Sequence, residues 1–346
     1  MPATVRLERF DVKIFILAVM LLLPVSGLCQ TYPGRSVDST LKSGISQIIL
    51  QNYPAAENIF RKLNLDYPGL PLGKIYLAAV KIAKSYDYGG EYDAAFIDSL
   101  LALALKQSHL LIKSDSDNRW NKYFLSLSEG YLAYFKALNG EWLNSLSAGA
   151  DALEDFSELA SNDNNFYDAY IAIGTYKYWK SRKTEFLEWV PGYDDEKDDG
   201  ILLLEKSIDH PSYNTYLAIN SLIWIYIDQK KFSKAAELAE NALKKYPGSR
   251  FFQWGLARAY EDLDAEKAIN IYKKILESLP RNLNHYNEII LKHLMAQQYV
   301  RIGENQKAIR LCDEILSVRS LNENVRSELG NRLDRVKELR TELTHP

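Results

Sequence analysis

The sequence has few cysteines, little excess of one sign of charge and few long apolar runs. Two cysteines in 346 residues allow at most one disulfide, so stability has to come from packing. The 42 basic and 45 acidic residues give a formal charge of −3, which offers no basic face to nucleic acid. No apolar run after residue 23 is long enough for a membrane span, so none is expected in the mature chain.

Signatures of catalysis and of cofactor or metal binding are also missing. The sequence contains no glycine-rich phosphate loop, no nucleophile elbow, no paired-histidine zinc helix and no CxxC pair. Its five histidines are dispersed along the chain. We therefore expect a protein that is not an enzyme and that carries no cofactor and no metal.

The N-terminal segment has the organisation of a secretory signal. Three basic residues precede an apolar run over residues 14–23, and small residues follow. Cleavage after Cys29 would remove the signal peptide, residues 1–29, and start the mature chain at Gln30. A lipid anchor on Cys29 is the less favoured alternative, because Leu28 stands where lipoprotein signals have a small residue. The expected location is periplasmic or secreted, and a membrane tether stays open.

The rest of the chain has an internal period, which is clearest in two adjoining blocks, 216–249 and 250–282. In both blocks a first helix has apolar residues one turn before a tyrosine. A second helix then has three packing residues on one face, and a proline follows it. In the first block these are Leu222, Ile223, Tyr226, Ala235, Ala239, Ala242 and Pro247, and in the second Leu256, Ala257, Tyr260, Ala268, Tyr272, Ile275 and Pro280.

Two short antiparallel helices cannot bury their apolar stripes alone, so the small residues admit a neighbouring helix and stacked pairs complete the core. This pattern resembles the tetratricopeptide repeat, which has about 34 residues per helix pair. Further copies fall at 37–70 and 289–322, and an extended pair at 167–212. Cys312 takes a packing position in the last copy, which indicates a structural thiol.

The resemblance implies an all-α fold, a solenoid or superhelix of about seven tetratricopeptide-like helix pairs with a C-terminal capping helix. The expected division is a short N-terminal segment at 30–36, the repeat solenoid at 37–322, and a capping helix and tail at 323–346. No long linker interrupts the mature region, so one continuous array is expected.

Residues 177–200 make the fourth pair longer than the pattern allows, and they are rich in aromatic side chains. Three interpretations stay open: a plug inside the superhelix, which is favoured, a partner-binding hairpin, and a contact with a membrane surface. The acidic run at 194–199 fails the calcium-loop pattern in either frame and is interpreted as a solvated turn. The candidate contacts here are Trp179, Arg182, Phe186, Trp189 and Tyr193.

In tetratricopeptide proteins the first helix of each pair faces the concave groove, so its exposed positions are candidate contacts. A mixture of aromatic, amide and guanidinium groups suits an extended peptide or a sugar. Whether the tryptophans instead pack between repeats stays open. The groove candidates are Asn220, Trp224, Trp254, Arg258, His293, Gln297 and Arg301.

The sequence therefore favours an exported, non-catalytic scaffold or adaptor that binds a protein segment in an envelope or secretion assembly. The alternative is a soluble glycan- or lipid-binding protein that uses the aromatic insertion between Trp179 and Trp189.

Overall fold

The computed structural model describes residues 30–162, 166–189, 191–280, 285–319, 321 and 323–345. The predicted signal peptide therefore lies outside the described residues. These residues form fifteen α-helices: α1 (Arg35–Ile49), α2 (Tyr53–Asp66), α3 (Leu72–Tyr88), α4 (Ala94–Ser114), α5 (Arg119–Leu138), α6 (Trp142–Asn162), α7 (Tyr167–Thr184), α8 (Lys197–Ile208), α9 (Thr215–Asp228), α10 (Phe232–Lys245), α11 (Arg250–Leu263), α12 (Ala265–Ser278), α13 (Tyr286–Arg301), α14 (Asn305–Leu316) and α15 (Glu323–Thr344).

Helices α1 to α14 form seven consecutive hairpin pairs, and each pair packs on the next. Helix α15 packs on both helices of the last pair, α13 and α14. This arrangement confirms the predicted all-α superhelix of about seven pairs with a terminal capping helix. The loops within the regular pairs are short, which brings neighbouring helices into antiparallel contact.

Small residues on the second helices allow the pairs to pack closely. Ala235 and Ala239 of α10, Ala268 of α12 and Ala308 of α14 have no exposed surface. Cys312 of α14 is likewise fully buried, and burial raises the pKa of its thiol to about 11. The predicted packing position of Cys312 is confirmed, and a buried thiol with a raised pKa is a poor nucleophile.

The superhelix turns far enough for its early pairs to touch its late pairs. Arg250 of α11 donates from Nε and Nη2 to the two carboxylate oxygens of Asp87 in α3, at 2.8 and 2.5 Å. Both side chains are only 9% exposed. The Asn287 side chain of α13 donates to the Asp87 carbonyl at 2.8 Å, and the Gln51 side chain accepts from the Arg250 backbone N–H at 3.0 Å. We call these four residues the closure contacts.

A buried carboxylate organises the interior of the N-terminal half. Asp168, at the start of α7, is 3% exposed, and burial raises its pKa. It accepts hydrogen bonds from the Tyr123 hydroxyl at 2.5 Å and from the side chain and backbone of Asn214 at 2.8 and 3.0 Å. Its backbone N–H donates to the buried Gln30 side chain at 3.0 Å. This part of the interior is therefore filled by protein.

One described helix, α4, is long and apolar enough to cross a membrane by length and composition, whereas none was expected from the sequence. It packs between α3 and α5, with Ile97, Leu101 and Ala104 buried against them. It is the second helix of the second pair, and its apolar face is part of the solenoid core.

Candidate functional site

Five tyrosines from α3, α5, α13 and the loop after α3 lie near one another. Tyr131 and Tyr134 lie one turn apart on α5, Tyr86 lies in the last turn of α3, and Tyr286 begins α13. Tyr92 follows in the loop after α3, where its ring meets the edge of Phe135 at 5.6 Å. We call these five tyrosines the tyrosine surface. Four of them belong to first helices of pairs, which are the helices expected to face the groove.

Two side chains of the tyrosine surface are exposed, and the other three are half-buried. Tyr86 is 58% exposed and Tyr134 is 49% exposed. Nevertheless, desolvation raises the pKa of both phenols, and Tyr86, Tyr92 and Tyr131 raise that of Tyr134 further. Desolvation together with Tyr86 and Tyr286 raises the pKa of Tyr92 to about 12. The raised pKa values mean that these phenols keep their protons at neutral pH.

The side chains of the tyrosine surface have the chemistry of a recognition surface. A phenol ring offers flat apolar area, and its hydroxyl can both donate and accept a hydrogen bond. Tyrosine loses little conformational entropy on binding, since it has few rotatable bonds. The tyrosine surface can therefore bind an extended peptide, in which apolar groups and backbone amides alternate.

The groove residues predicted from α9 and α11 are divided between packing and exposure. Trp224 and Trp254 are half-buried, and the Trp254 ring meets Tyr272 edge-on at 6.0 Å. Asn220 is also half-buried, and its side-chain oxygen is shielded from solvent. Arg258 keeps 38% of its side chain exposed while it donates to Glu261. Among these four, Arg258 is the one with a substantial accessible polar group.

The predicted residues on α13 also differ from one another. His293 is 1% exposed, so in this structure it is a packing residue and cannot contact a partner. Gln297 is exposed. Arg301 is exposed as well, and it hydrogen-bonds to the backbone carbonyl of Glu261 and approaches Asp262 at 3.8 Å. His293 is buried rather than exposed because α15 covers that face of α13.

The sequence pattern did not indicate the tyrosine surface. Tyr86, Tyr134 and Tyr286 lie near helix ends and Tyr92 lies in a loop, whereas Tyr131 lies within α5 and packs against the core. The available signal was the recurrence of tyrosine at 86, 88 and 92, at 131 and 134, and at 286. Their convergence depends on superhelical closure, which brings Tyr286 beside α3.

The extended fourth pair contains an exposed aromatic loop. We use this name for residues 185–196, of which 190 is not described. Phe186 is 72% exposed and Trp189 is 80% exposed, so neither fills the superhelix. The favoured plug interpretation is therefore wrong for these two residues. It was drawn from the apolar character of the side chains, which does not reveal the direction in which a loop leaves its helix.

The other candidates in this region hold the loop in place. Tyr193 is half-buried and donates from its hydroxyl to the Ser181 carbonyl at 2.9 Å. Arg182 donates to Asp228 of α9 at 2.9 Å. Trp179 meets Tyr178 edge-on at 5.2 Å and is partly buried. These contacts belong to the base of the loop.

The acidic run is partly helical and partly ion-paired. Helix α8 begins at Lys197, so Asp198 and Glu205 lie on a helix rather than in a calcium loop. Glu196 pairs with Lys177 at 2.8 Å and with Lys180 at 3.0 Å. Among the described residues, no group of three or more metal-ligating side chains is gathered.

Two small cavities lie apart from the tyrosine surface and the aromatic loop. One, of about 240 Å³, is lined by Asp117, Arg119, Lys122 and Leu159, and the other, of about 250 Å³, lies between α8, α9 and α10 beside Tyr226. Pockets for small ligands are usually about 300 to 1,000 Å³. Neither cavity adjoins Trp179 or Trp189.

A tetratricopeptide-repeat family model matches residues 253–282, which include most of α11 and all of α12. The chain therefore carries a tetratricopeptide repeat. No curated protein matches the sequence. Among solved structures, this tetratricopeptide-repeat protein is similar to a chain of the APC/C hetero-tetramer Cut9-Hcn1, with a TM-score of 0.54 and 14% identity. The match covers 96% of this chain and 55% of that one.

A second similar structure is the human IFIT1 dimer with m7Gppp-AAAA. The TM-score is 0.52 at 15% identity, over 84% of this chain and 60% of that one. This tetratricopeptide-repeat protein therefore spans between one half and two thirds of the length of both chains. At these identities the likeness shows the superhelical fold alone.

Proposed function

We propose that this tetratricopeptide-repeat protein is a non-catalytic scaffold that binds an extended segment of a partner protein along the tyrosine surface. The observation that carries the proposal is the exposure of Tyr86 and Tyr134 within a cluster of five tyrosines. Aromatic residues of this kind dominate the energetics of protein interfaces. Tetratricopeptide repeats generally mediate contacts with proteins, and the similar chain of the APC/C hetero-tetramer Cut9-Hcn1 belongs to such an assembly.

Photo-crosslinking tests the site directly. The photoreactive residue p-benzoyl-phenylalanine would replace Tyr86, Tyr134 or, as a control on a different surface, Trp189 in the organism of origin. We expect positions 86 and 134 to crosslink to the same partner segment, identified by mass spectrometry. Crosslinks at position 189 with none at 86 and 134 would contradict the proposal.

The proposal includes export, with the partner in an envelope or secretion assembly. Its support is the basic N-terminus, the apolar run at 14–23 and the small residues before Gln30. The mass of the purified native protein would test this, because a mature chain beginning at Gln30 lacks residues 1–29. A full-length mass in the cytoplasmic fraction would contradict it.

A second candidate function, binding of glycan or lipid at the aromatic loop, is favoured by the exposed Phe186 and Trp189. Flotation with phosphatidylcholine vesicles and a glycan array would test it with the variant Phe186→Ser/Trp189→Ser. Binding by the unaltered chain that this variant loses would support the second candidate. Absence of binding to both probes would rule it out for those ligands.

A further inference from the structure

Three arginines adjoin the tyrosine surface at its C-terminal end. Arg258 comes from α11, and Arg332 and Arg335 lie one turn apart on the same face of α15. We call these residues the arginine group. Arg332 lies near Tyr286, because its charge lowers the pKa of that phenol against the raising effect of burial and Glu328. Arg335 and Arg258 in turn lie near Arg332, because their charges lower its pKa.

Arg258 of the arginine group is paired with Glu261, whereas Arg332 and Arg335 have no carboxylate partner within 4.0 Å among the described residues. Arg258 donates to Glu261, whose other carboxylate oxygen accepts from the Tyr272 hydroxyl at 2.6 Å, so this carboxylate is already engaged. Glu328 precedes Arg332 by one turn and faces the Tyr286 hydroxyl.

The polar contact of Arg332 is with a neutral group. Its Nη1 lies 3.2 Å from Nδ1 of His293, which is buried on α13. Burial and the charges of Arg332 and Arg335 lower the pKa of His293 to about 4, so the imidazole is uncharged at neutral pH. Nδ1 can then accept a hydrogen bond, but it supplies no negative charge.

Such an arrangement is unfavourable in the free protein. Arg332 is half-buried, and burial together with Arg335 lowers its pKa. Like charges one turn apart on a helix destabilise it. An anion placed between the guanidinium groups would relieve both effects, and the planar fork of arginine matches the geometry of a carboxylate.

We propose that the arginine group binds acidic side chains of the partner segment, so that the segment is an acidic peptide whose carboxylates meet α15 while the rest crosses the tyrosine surface. This inference rests on the proposed function and specifies its ligand class. It also makes the capping helix part of the binding site. The chain as a whole has a net charge of −3, so non-specific attraction does not account for capture of an acidic peptide.

The test uses two capped peptides, N-acetylated and C-amidated hexaglutamate and hexaglutamine, both fluorescently labelled, with anisotropy measured against the whole mature chain. We expect hexaglutamate to bind at least tenfold more tightly than hexaglutamine, with an affinity that falls as salt rises. Equal affinity for the two peptides would overturn the proposal. A hexaglutamine peptide with a free C-terminus that binds as tightly as hexaglutamate would overturn the assignment to acidic side chains.

The test variant is Arg332→Gln/Arg335→Gln, with Lys337→Gln as the matched control. Lys337 lies on the same helix, is 63% exposed and pairs with Asp334. The arginine variant should lose at least tenfold in hexaglutamate affinity, and the lysine variant should keep it. Loss in both variants, or in neither, would contradict the proposal.

A thermal melt separates binding from a structural role. Since Arg332 is uncompensated in the free protein, Arg332→Gln should melt at the same temperature as the unaltered chain or higher. A lower melting temperature would mark Arg332 as a structural residue and overturn its assignment to binding. If the peptide test fails while the crosslinks at Tyr86 and Tyr134 persist, the proposed function stands and the acidic ligand class falls.

Discussion

Gly89 ends α3 in the left-handed region, with φ at 62°, and lies directly against Tyr286. A Cβ added at this position would be 2.2 Å from the Tyr286 ring, far inside van der Waals contact. The residue therefore permits both the turn and the approach of α13 to α3. The absence of a Cβ atom at Gly89 thus allows Tyr286 to lie beside the other members of the tyrosine surface.

Gly89→Ala should destabilise the protein more than Gly140→Ala does. Gly140 also has a positive φ, 80°, but nothing lies within 4 Å of its added Cβ. Left-handed strain costs about 1 to 2 kcal/mol in both variants, and displacement of the ring adds about 1 to 3 kcal/mol at Gly89. Chemical denaturation of the two variants measures the difference, and equal losses would count against the contact with Tyr286.

Glu129 supplies a pH-dependent contribution to stability. Burial, with Asp155 and Asp151 nearby, raises its pKa from 4.5 to about 7, and His109 lies near Asp155. A carboxyl group whose pKa is raised by folding stabilises the protein below its unfolded value and loses that contribution as the pH rises to the folded value. Stability should therefore decline between about pH 4.5 and pH 7.

Glu129→Gln should remove this decline. Relative to the unaltered chain, the variant should gain about 1 to 2 kcal/mol at pH 8 compared with pH 4.5, a figure reduced for solvent screening. Glu237→Gln, on an exposed position of α10, is the control and should show no such change. Urea melts at the two pH values measure the effect, and parallel curves for all three proteins would refute it.

At the scale of helices, Arg250 is the most consequential of the closure contacts. Its ion pair with Asp87 joins α11 to α3 across 163 positions of sequence, and both side chains are almost fully buried. Removing one member of a buried pair leaves the other charged and unpaired. Replacing only one of the two residues should therefore lower the free energy of unfolding strongly.

Arg250→Ala should cost about 3 to 5 kcal/mol of unfolding free energy. Arg61→Ala, which breaks an exposed pair with Glu57 within α2, should cost less than about 1 kcal/mol. A double-mutant cycle with Asp87→Ala isolates the coupling between the two helices. Additive losses in that cycle would mean that the pair contributes no coupling.

The sequence predicted the helices better than it predicted the surfaces. Alanine spacing at 235, 239, 268 and 308 identified the packing faces, because a close helix crossing requires small residues whatever the rest of the chain does. The direction of the aromatic loop and the burial of His293 depend on contacts with other elements, which no local pattern contains. The tyrosine surface depends on closure, and closure is a sum of small rotations over seven pairs.

For the whole molecule, closure should determine the overall dimensions. An open solenoid contacts only its neighbours along the chain, whereas α3 here touches α11 and α13. Arg250→Ala/Asn287→Ala should therefore increase the radius of gyration in small-angle X-ray scattering. Arg61→Ala should leave it unchanged, and unchanged dimensions in the double variant would show that the remaining contacts suffice for closure.

Closure also fixes the number of repeats. In an open solenoid a helix pair can be duplicated or lost during evolution, since each repeat meets only the next one. Here an added pair between α3 and α11 would carry Arg250 past Asp87 and leave two buried charges without partners. Gene duplication within this stretch should therefore be selected against, while extension beyond α15 remains compatible with the fold.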